Sequence, residues 1–260
     1  MRRRDFIKGI VGSATAWPLA ARAQQPEHMR RIGVLLPTAD DQEARIRLTT
    51  FQQALEGLGW TNGRNVHIDT RLSAGKAADT RKYAAELAAL APDVFVVVGS
   101  SGLPAALEAT RTVPIVFVLV PDPVGSGFVH SLSQPGGNAT GFMMFEYNLC
   151  GKWPELLKEI APGVTRAAVL RDPALVAGIG QFAVIQSVAP SVGLEVIPIN
   201  LGDAAEIKRE VAAFAQSANG GLISTASALS GYIVISSSLL PPSTSCPQST
   251  KIAIMLPPAD

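Results

Sequence analysis

The stretch Arg31-Ile32-Gly33-Val34-Leu35-Leu36-Pro37-Thr38-Ala39-Asp40-Asp41 passes from a short apolar run directly into two acidic residues able to cap a helix. Beyond it Ala44, Leu48, Phe51, Leu55 and Leu58 recur at steps of four and three, one apolar helical face, and Gly57 and Gly59 end it. Ile32 to Pro37 is therefore read as a strand that feeds a helix, and the unit repeats. Val66 to Leu72 alternates as a second strand, and Asp79 to Leu90 is a helix burying Ala84, Leu87 and Leu90. Val94 to Gly99 is a wholly apolar strand, followed by a helix from Ser101 to Arg111 and a buried strand from Ile115 to Val120. A short helix from Val124 to Leu132 completes the block, which closes near Met143. Apolar strands alternating with helices predict parallel sheets covered on both faces.

After Phe145-Glu146-Tyr147-Asn148 the same logic returns. Helices are expected over Lys152 to Ile160, Ile179 to Val192 and Ala204 to Ser217, with strands over Ala167 to Leu170, Glu195 to Ile199 and Gly221 to Thr225. Leu156 and Ile160, Phe182 and Ile185, and Ile207, Val211 and Phe214 sit at helical spacing as the expected core. The reading is α/β with two lobes, each a parallel sheet flanked by helices; one continuous sheet is the alternative. The lobes span 30–144 and 145–229, and the second is expected to be incomplete. Residues 230–260 are rich in Ser and Pro, carry only Lys251 and Asp260 as charges, and read as an irregular tail.

At 260 residues and 47% hydrophobic, the chain excludes a disordered, collagen-like or disulfide-stapled class. Its net charge of +1 is concentrated in Arg2, Arg3, Arg4, Lys8 and Arg22, so the remainder is mildly acidic. Such a body has no electrostatic footprint for phosphate backbones, which argues against a nucleic-acid partner. Three His and two Cys leave no zinc cluster, and no metal or cofactor is expected. Residues 1–25 read as a signal peptide: Arg3-Arg4-Asp5-Phe6-Ile7-Lys8 matches a twin-arginine export signal, and Ala21-Arg22-Ala23 suits cleavage after Ala23. The apolar run from Ile10 to Leu19 is too short to span a bilayer, so a soluble periplasmic protein is expected.

Open parallel sheets bind ligands beyond the carboxyl ends of their strands, where helix N-termini present free N–H groups. Those positions hold Thr38, then Ser100 and Ser101, then Asp122 in the first block, and Arg171 with Asp172, Asn200 and Thr225 in the second. Hydroxyls at helix N-termini suit a carboxylate, and an acidic residue such as Asp122 suits a ligand ammonium. Together they suit a ligand of amino-acid size. Each also has a plainer reading. Ser100 and Ser101 can be N-caps, Asp122-Pro123 a capped turn, Arg171-Asp172-Pro173 a surface loop, and Phe145 and Tyr147 either hinge packing or an aromatic wall. His130 is read as a solvated or capping residue and Cys150 as a small buried hydrophobe, with a bridge to Cys246 as the alternative. There is no Gly-x-Ser-x-Gly elbow or Walker sequence, and Gly125-Ser126-Gly127 begins a dinucleotide fingerprint without finishing it. With acid, base and nucleophile all unassigned, a binder is favoured over a catalyst, an exported α/β enzyme being the competing class.

Several stretches carry a family resemblance: Ile32-Gly33-Val34-Leu35, Phe51 to Leu58 leading into Gly59-Trp60-Thr61-Asn62-Gly63-Arg64-Asn65-Val66, and Pro114-Ile115-Val116-Phe117 with Asp122-Pro123-Val124. The most specific is Leu132-Ser133-Gln134-Pro135-Gly136-Gly137-Asn138-Ala139-Thr140-Gly141. From Met1 to about Ala228 the chain resembles substrate-binding proteins of ABC transporters of the tryptophan/tyrosine type. The resemblance implies a monomeric two-lobed periplasmic protein of the type I binding-protein architecture. Such a protein closes around a small solute, an aromatic amino acid or relative, and delivers it to an inner-membrane ABC permease. It implies ligand contacts at Ser100, Ser101, Asp122, Asp172 and Thr225, to which the strand-end argument adds Thr38 and the aromatic-wall reading near the crossover adds Phe145. Family members continue past Ala228 with further elements that complete the first lobe. The composition shift at Ser230 is therefore read as a reading-frame change with early termination, which would leave a truncated and nonfunctional product as one alternative.

Overall fold

The computed structural model describes residues 29–202, 204–226 and 254–255. The predicted signal peptide, most of the Ser/Pro-rich tail and Cys246 lie outside the described residues. The first lobe contains strands β1 (Arg30–Leu36), β2 (Val66–Leu72), β3 (Val94–Val98), β4 (Ile115–Val120) and β5 (Ala139–Met143). Its helices are α1 (Gln42–Gly57), α2 (Ala77–Ala89) and α3 (Gly99–Ala109). Every pairing is parallel, in the order β2-β1-β3-β4-β5. The second lobe contains β6 (Arg166–Arg171), β7 (Glu195–Asn200), β8 (Gly220–Ser224) and β9 (Ile254–Met255), with α4 (Lys152–Ile160), α5 (Val176–Val188) and α6 (Ala204–Ala215). Its sheet is also parallel, in the order β7-β6-β8-β9. The two sheets are separate, which removes the single-sheet alternative.

Both sheets are buried on both faces, as continuous apolar strands require. In the first lobe Leu35, Phe95, Val97 and Phe117 pack under α2 and α3, while Ile32, Val34, Leu36 and Val66 pack under Leu48, Phe51 and Leu55 of α1. In the second, Leu157, Val169, Phe182, Ile185 and Ile223 form one core and Leu170, Ile199, Ile207 and Leu222 the other. Asp41 caps α1 by accepting from Ala44 N at 2.8 Å. Pro198 interrupts β7 without cost, because that strand is the sheet edge and one side needs no ladder bond.

Some sequence expectations are corrected. Leu58 is 77% exposed and serves as the C-cap of α1 rather than as part of its buried face. In α4 the apolar residues make two overlapping stripes; packing selects Trp153 and Leu157, leaving Leu156 and Ile160 exposed. The segment from Val124 to Leu132 is a series of turns, not a helix. Ser126 N donates to Asp122 O, but the next residue, Gly127, is left-handed (φ 74°) and stops propagation. The strand β5 escapes sequence reading because Ala139-Thr140-Gly141-Phe142-Met143 lacks both β-branched density and clean alternation. The helix expected to run to Val192 is α5 followed by a 3-10 turn from Ala189 to Val192, with Pro190 at the junction. Within the stretch read as an irregular tail, Ile254–Met255 adds a short strand beside β8.

Candidate functional site

The strand orders contain one reversal each. In the first sheet the chain leaves β1 toward β2 and returns to the other side of β1 at β3; in the second it leaves β6 toward β7 and returns at β8. Adjacent strands whose connections diverge open a crevice at their carboxyl ends, the place where open α/β sheets bind ligands. The first crevice lies between the ends of β1 and β3 and is flanked by Thr38, Ser100 and Ser101. The second lies between the ends of β6 and β8 and is flanked by Asp172 and Thr225. Five of the seven expected ligand contacts thus fall at the two switch points.

Their side chains are used differently. Thr38 Oγ1 and Ser101 Oγ are buried and have no hydrogen-bond partner. The helix that Ser101 belongs to has no side-chain cap, so neither Ser100 nor Ser101 serves as its N-cap. Gly102 lets this helix lie close on its own strand: a Cβ there would stand 2.7 Å from Val97 Cγ1. In the second crevice Asp172 Oδ1 accepts from Ala174 N at 2.8 Å, turning the chain into α5. Thr225 is fully buried, and both its Oγ1 and its N donate to Leu170 O, at 2.8 and 3.0 Å. Thr225 therefore ties β8 to β6. Arg171 lies over the Phe182 ring at 4.4 Å and donates from Nε to Asn200 Oδ1; both are the last residues of paired strands, so Arg171 belongs to the sheet end rather than to the surface loop its sequence allowed.

Asp122 and Phe145 belong to the link between lobes. Asp122 adopts φ 39°, and its Oδ1 accepts from Gly125 N at 2.7 Å while Oδ2 accepts from Tyr147 N at 3.1 Å. Its own N donates to Phe145 O at 2.8 Å. The carboxylate is thus engaged in bracing the crossover. Phe145 packs edge-on against Trp153, ring centroids 6.0 Å apart, inside the second lobe's core. Tyr147 is buried too. Its hydroxyl meets Ser126 Oγ at 2.5 Å, and its ring covers Gly180 so closely that a Cβ there would lie 2.4 Å from Tyr147 Cε2. Burial raises the Tyr147 phenol above its ordinary value, against a lowering by the Ser126 bond.

Sequence reading missed Gln181 and Ser126. Gln181, on α5, is fully buried; its Oε1 accepts from Ala226 N at 2.9 Å and its Nε2 has no partner. A burial pattern in α5 could have found it only with the fold in hand, since a glutamine beside Phe182 reads as the polar side of a helix. His130 is exposed in the turn, donating from its backbone N to Pro135 O. Among the described residues no group of three His, Cys, Asp or Glu could hold a metal ion, and no helix is long and apolar enough to cross a membrane.

Cys150 is a free, buried thiol, and Cys246, its alternative bridge partner, lies outside the described residues. Burial pushes its thiol up to about 12, with the Asp122 charge acting the same way. In a Cys246→Ser variant at pH 8, iodoacetamide should therefore leave Cys150 unmodified in the folded protein and label it readily in guanidinium. The unfolded thiol titrates near 9.0, below its folded value. The stability this group contributes is fully present below pH 9 and falls as pH rises toward about 12, with Tyr147 acting in the same direction. Urea midpoints measured between pH 8 and 11 check the sign.

Comparison with known proteins agrees with this architecture. A tyrosine-binding protein of Clostridioides difficile (strain R20291) is 27% identical over 161 residues, covering 62% of this chain and 46% of the relative. The chain thus spans about half the length of that curated relative. A conserved domain protein from Vibrio cholerae superposes with a TM-score of 0.67 at 25% identity, over 75% of this chain and 64% of that one. A structure from Streptococcus pneumonia in complex with L-Trp gives the same TM-score, 0.67, at 22% identity with 75% and 64% coverage, a likeness of fold. The fold is the two-lobed, type I periplasmic-binding-protein architecture. The model of the family described as ABC transporter substrate binding protein matches residues 31–238, ten residues beyond Ala228. With a match across both lobes, the chain belongs to the ABC transporter substrate-binding protein family.

Proposed function

We propose that this protein is the exported solute-binding component of an ABC importer. It takes a small zwitterion, an aromatic amino acid or close relative, between its lobes as a monomer and passes it to an inner-membrane permease, without catalysing a reaction. Proteins of this family are typically extracytoplasmic, and Arg3-Arg4-Asp5-Phe6-Ile7-Lys8 supplies a twin-arginine route with cleavage after Ala23. The observation that carries the reading is the pair of unpartnered buried hydroxyls, Thr38 Oγ1 and Ser101 Oγ, at the switch point of the first sheet. A buried hydroxyl without a partner costs roughly 1–3 kcal/mol, which a bound carboxylate recovers. Ser100 and the first turn of α3 lie beside them. Asp172 stands at the facing crevice, while Asp122, Phe145 and Thr225 hold the link and the second sheet in shape. The tyrosine-binding relative supports the ligand class.

The test is a thermal-shift series with L-tyrosine, L-tryptophan and L-phenylalanine. At a hundredfold excess over Kd, the bound state should gain about 2.7 kcal/mol. Thr38→Val and Ser101→Ala should leave the ligand-free Tm unchanged or slightly raised, because no bond is lost in that state. Affinity should nevertheless fall by about tenfold or more. A cooperative melt that none of these amino acids shifts would overturn the ligand class, and variants that bind like the wild type would overturn the site.

A further inference from the structure

Among the described residues, the buried side-chain polar atoms without a hydrogen-bond partner are Thr38 Oγ1, Ser101 Oγ and Gln181 Nε2. The first two flank the switch point of the first sheet. The third belongs to the other lobe, and its surroundings place it at the corresponding point. Gln181 Oε1 accepts from Ala226 N at 2.9 Å, and Ala226 directly follows Thr225, whose hydroxyl donates to Leu170 O of β6. The carboxamide head therefore lies where β6 and β8 end side by side. Its orientation follows from chemistry: a backbone N–H donates only to an oxygen, so the unpaired half of the amide is the NH2 group.

Accepting from Ala226 N accounts for Oε1 alone; it leaves Nε2 a buried donor without an acceptor, which opposes folding. We propose that Gln181 is a specificity-determining residue whose Nε2 donates a hydrogen bond to an oxygen at the far end of the bound solute. The inference rests on the solute-binding reading above and deepens it. Thr38 and Ser101 take the end of the solute that meets the first lobe. Gln181, a donor only through Nε2, then requires an acceptor at the end that meets the second. Among the aromatic amino acids the tyrosine phenol oxygen meets that need. Phenylalanine has no atom to offer, and the indole of tryptophan carries an N–H donor instead. The solute class is therefore one with a distal hydroxyl or carbonyl oxygen. Nε2 is shielded in the ligand-free chain, so a solute oxygen reaches it only when its cover shifts.

The test measures Kd for L-tyrosine and L-phenylalanine, which differ only in that oxygen, on the wild-type full chain and on Gln181→Met. The wild type should bind tyrosine tighter than phenylalanine by about tenfold or more, the worth of one hydrogen bond from a shielded donor. Gln181→Met should bring tyrosine to the phenylalanine level and change phenylalanine affinity by less than about twofold. Equal loss for both ligands in Gln181→Met would assign the residue to holding the loop through Ala226 and overturn the proposal. A wild type that does not distinguish the two amino acids overturns it as well, without need of a folded variant. If the wild type binds neither, the solute-class reading fails and this inference fails with it; binding with a ratio near one removes this inference alone.

Discussion

Replacing Gly141 by alanine should lower the melting temperature by roughly 10 °C, the largest stability loss expected of any conservative change in the first lobe. Gly141 lies in β5 opposite Phe117 of β4. A Cβ at this position would stand 2.0 Å from Phe117 O, 2.7 Å from its N and 2.8 Å from its C. These are backbone atoms of a residue 1% exposed in the middle of the core, so no side chain can swing aside. Relief demands parting β4 from β5 or displacing Phe117, at a cost of about 3 kcal/mol or more. The change should also weaken ligand binding, because β4 leads into the turn at Asp122 that carries the chain toward the other lobe. Thermal and urea denaturation of Gly141→Ala against wild type decide the matter. A loss below about 1 kcal/mol would mean that β5 does not pair with β4 in this register.

Asp122→Ala should cost about 2–4 kcal/mol, from two charge-assisted bonds to backbone N–H groups and a left-handed conformation that alanine tolerates less well. The two acceptors serve different sides of the link: Oδ1 holds Gly125 in the first-lobe turn, and Oδ2 holds Tyr147, which packs on Gly180 of α5. Their loss should loosen the lobes against each other as well as the turn. Asp122→Asn keeps one oxygen acceptor and tolerates φ 39°, so it should lose about half as much. Urea denaturation of both variants gives the ranking. Small-angle scattering of the ligand-free Asp122→Ala protein should show a broader distribution of dimensions. Stability equal to wild type in both variants would show that Asp122 is free for a ligand ammonium instead.

Much of the architecture was legible in the chain. The apolar runs that begin at Ile32, Val94 and Ile115 lie in strands ending at Leu36, Val98 and Val120, and the recurrence of Ala44, Leu48, Phe51 and Leu55 is the buried side of α1. These signals are local, because a strand buried on both faces must be apolar throughout and an amphipathic helix must repeat every 3.6 residues. Signals that depend on contact partners failed. Leu156 and Ile160 fit a helical face as well as Trp153 and Leu157 do, and only the shape of the facing core chose between them. The strand β5 holds a glycine because of the proximity of Phe117, a fact invisible from either segment alone.

The site divides along the same line. Strand-end residues could be named from the sequence, since hydroxyls and carboxylates after apolar runs stand out. Their roles depended on strand order, which sequence does not encode locally. The order β2-β1-β3 placed Thr38 beside Ser101, and β7-β6-β8 placed Asp172 beside Thr225. The hydrogen-bond partners then separated open groups from occupied ones: Thr38 and Ser101 keep unused hydroxyls, whereas Asp122 and Thr225 spend theirs on the chain. Sequence determined the fold class and the family, because periodicity and motif are properties of consecutive residues. Tertiary structure alone decided which polar atoms remain unpaired, because pairing joins residues as distant as Gln181 and Ala226.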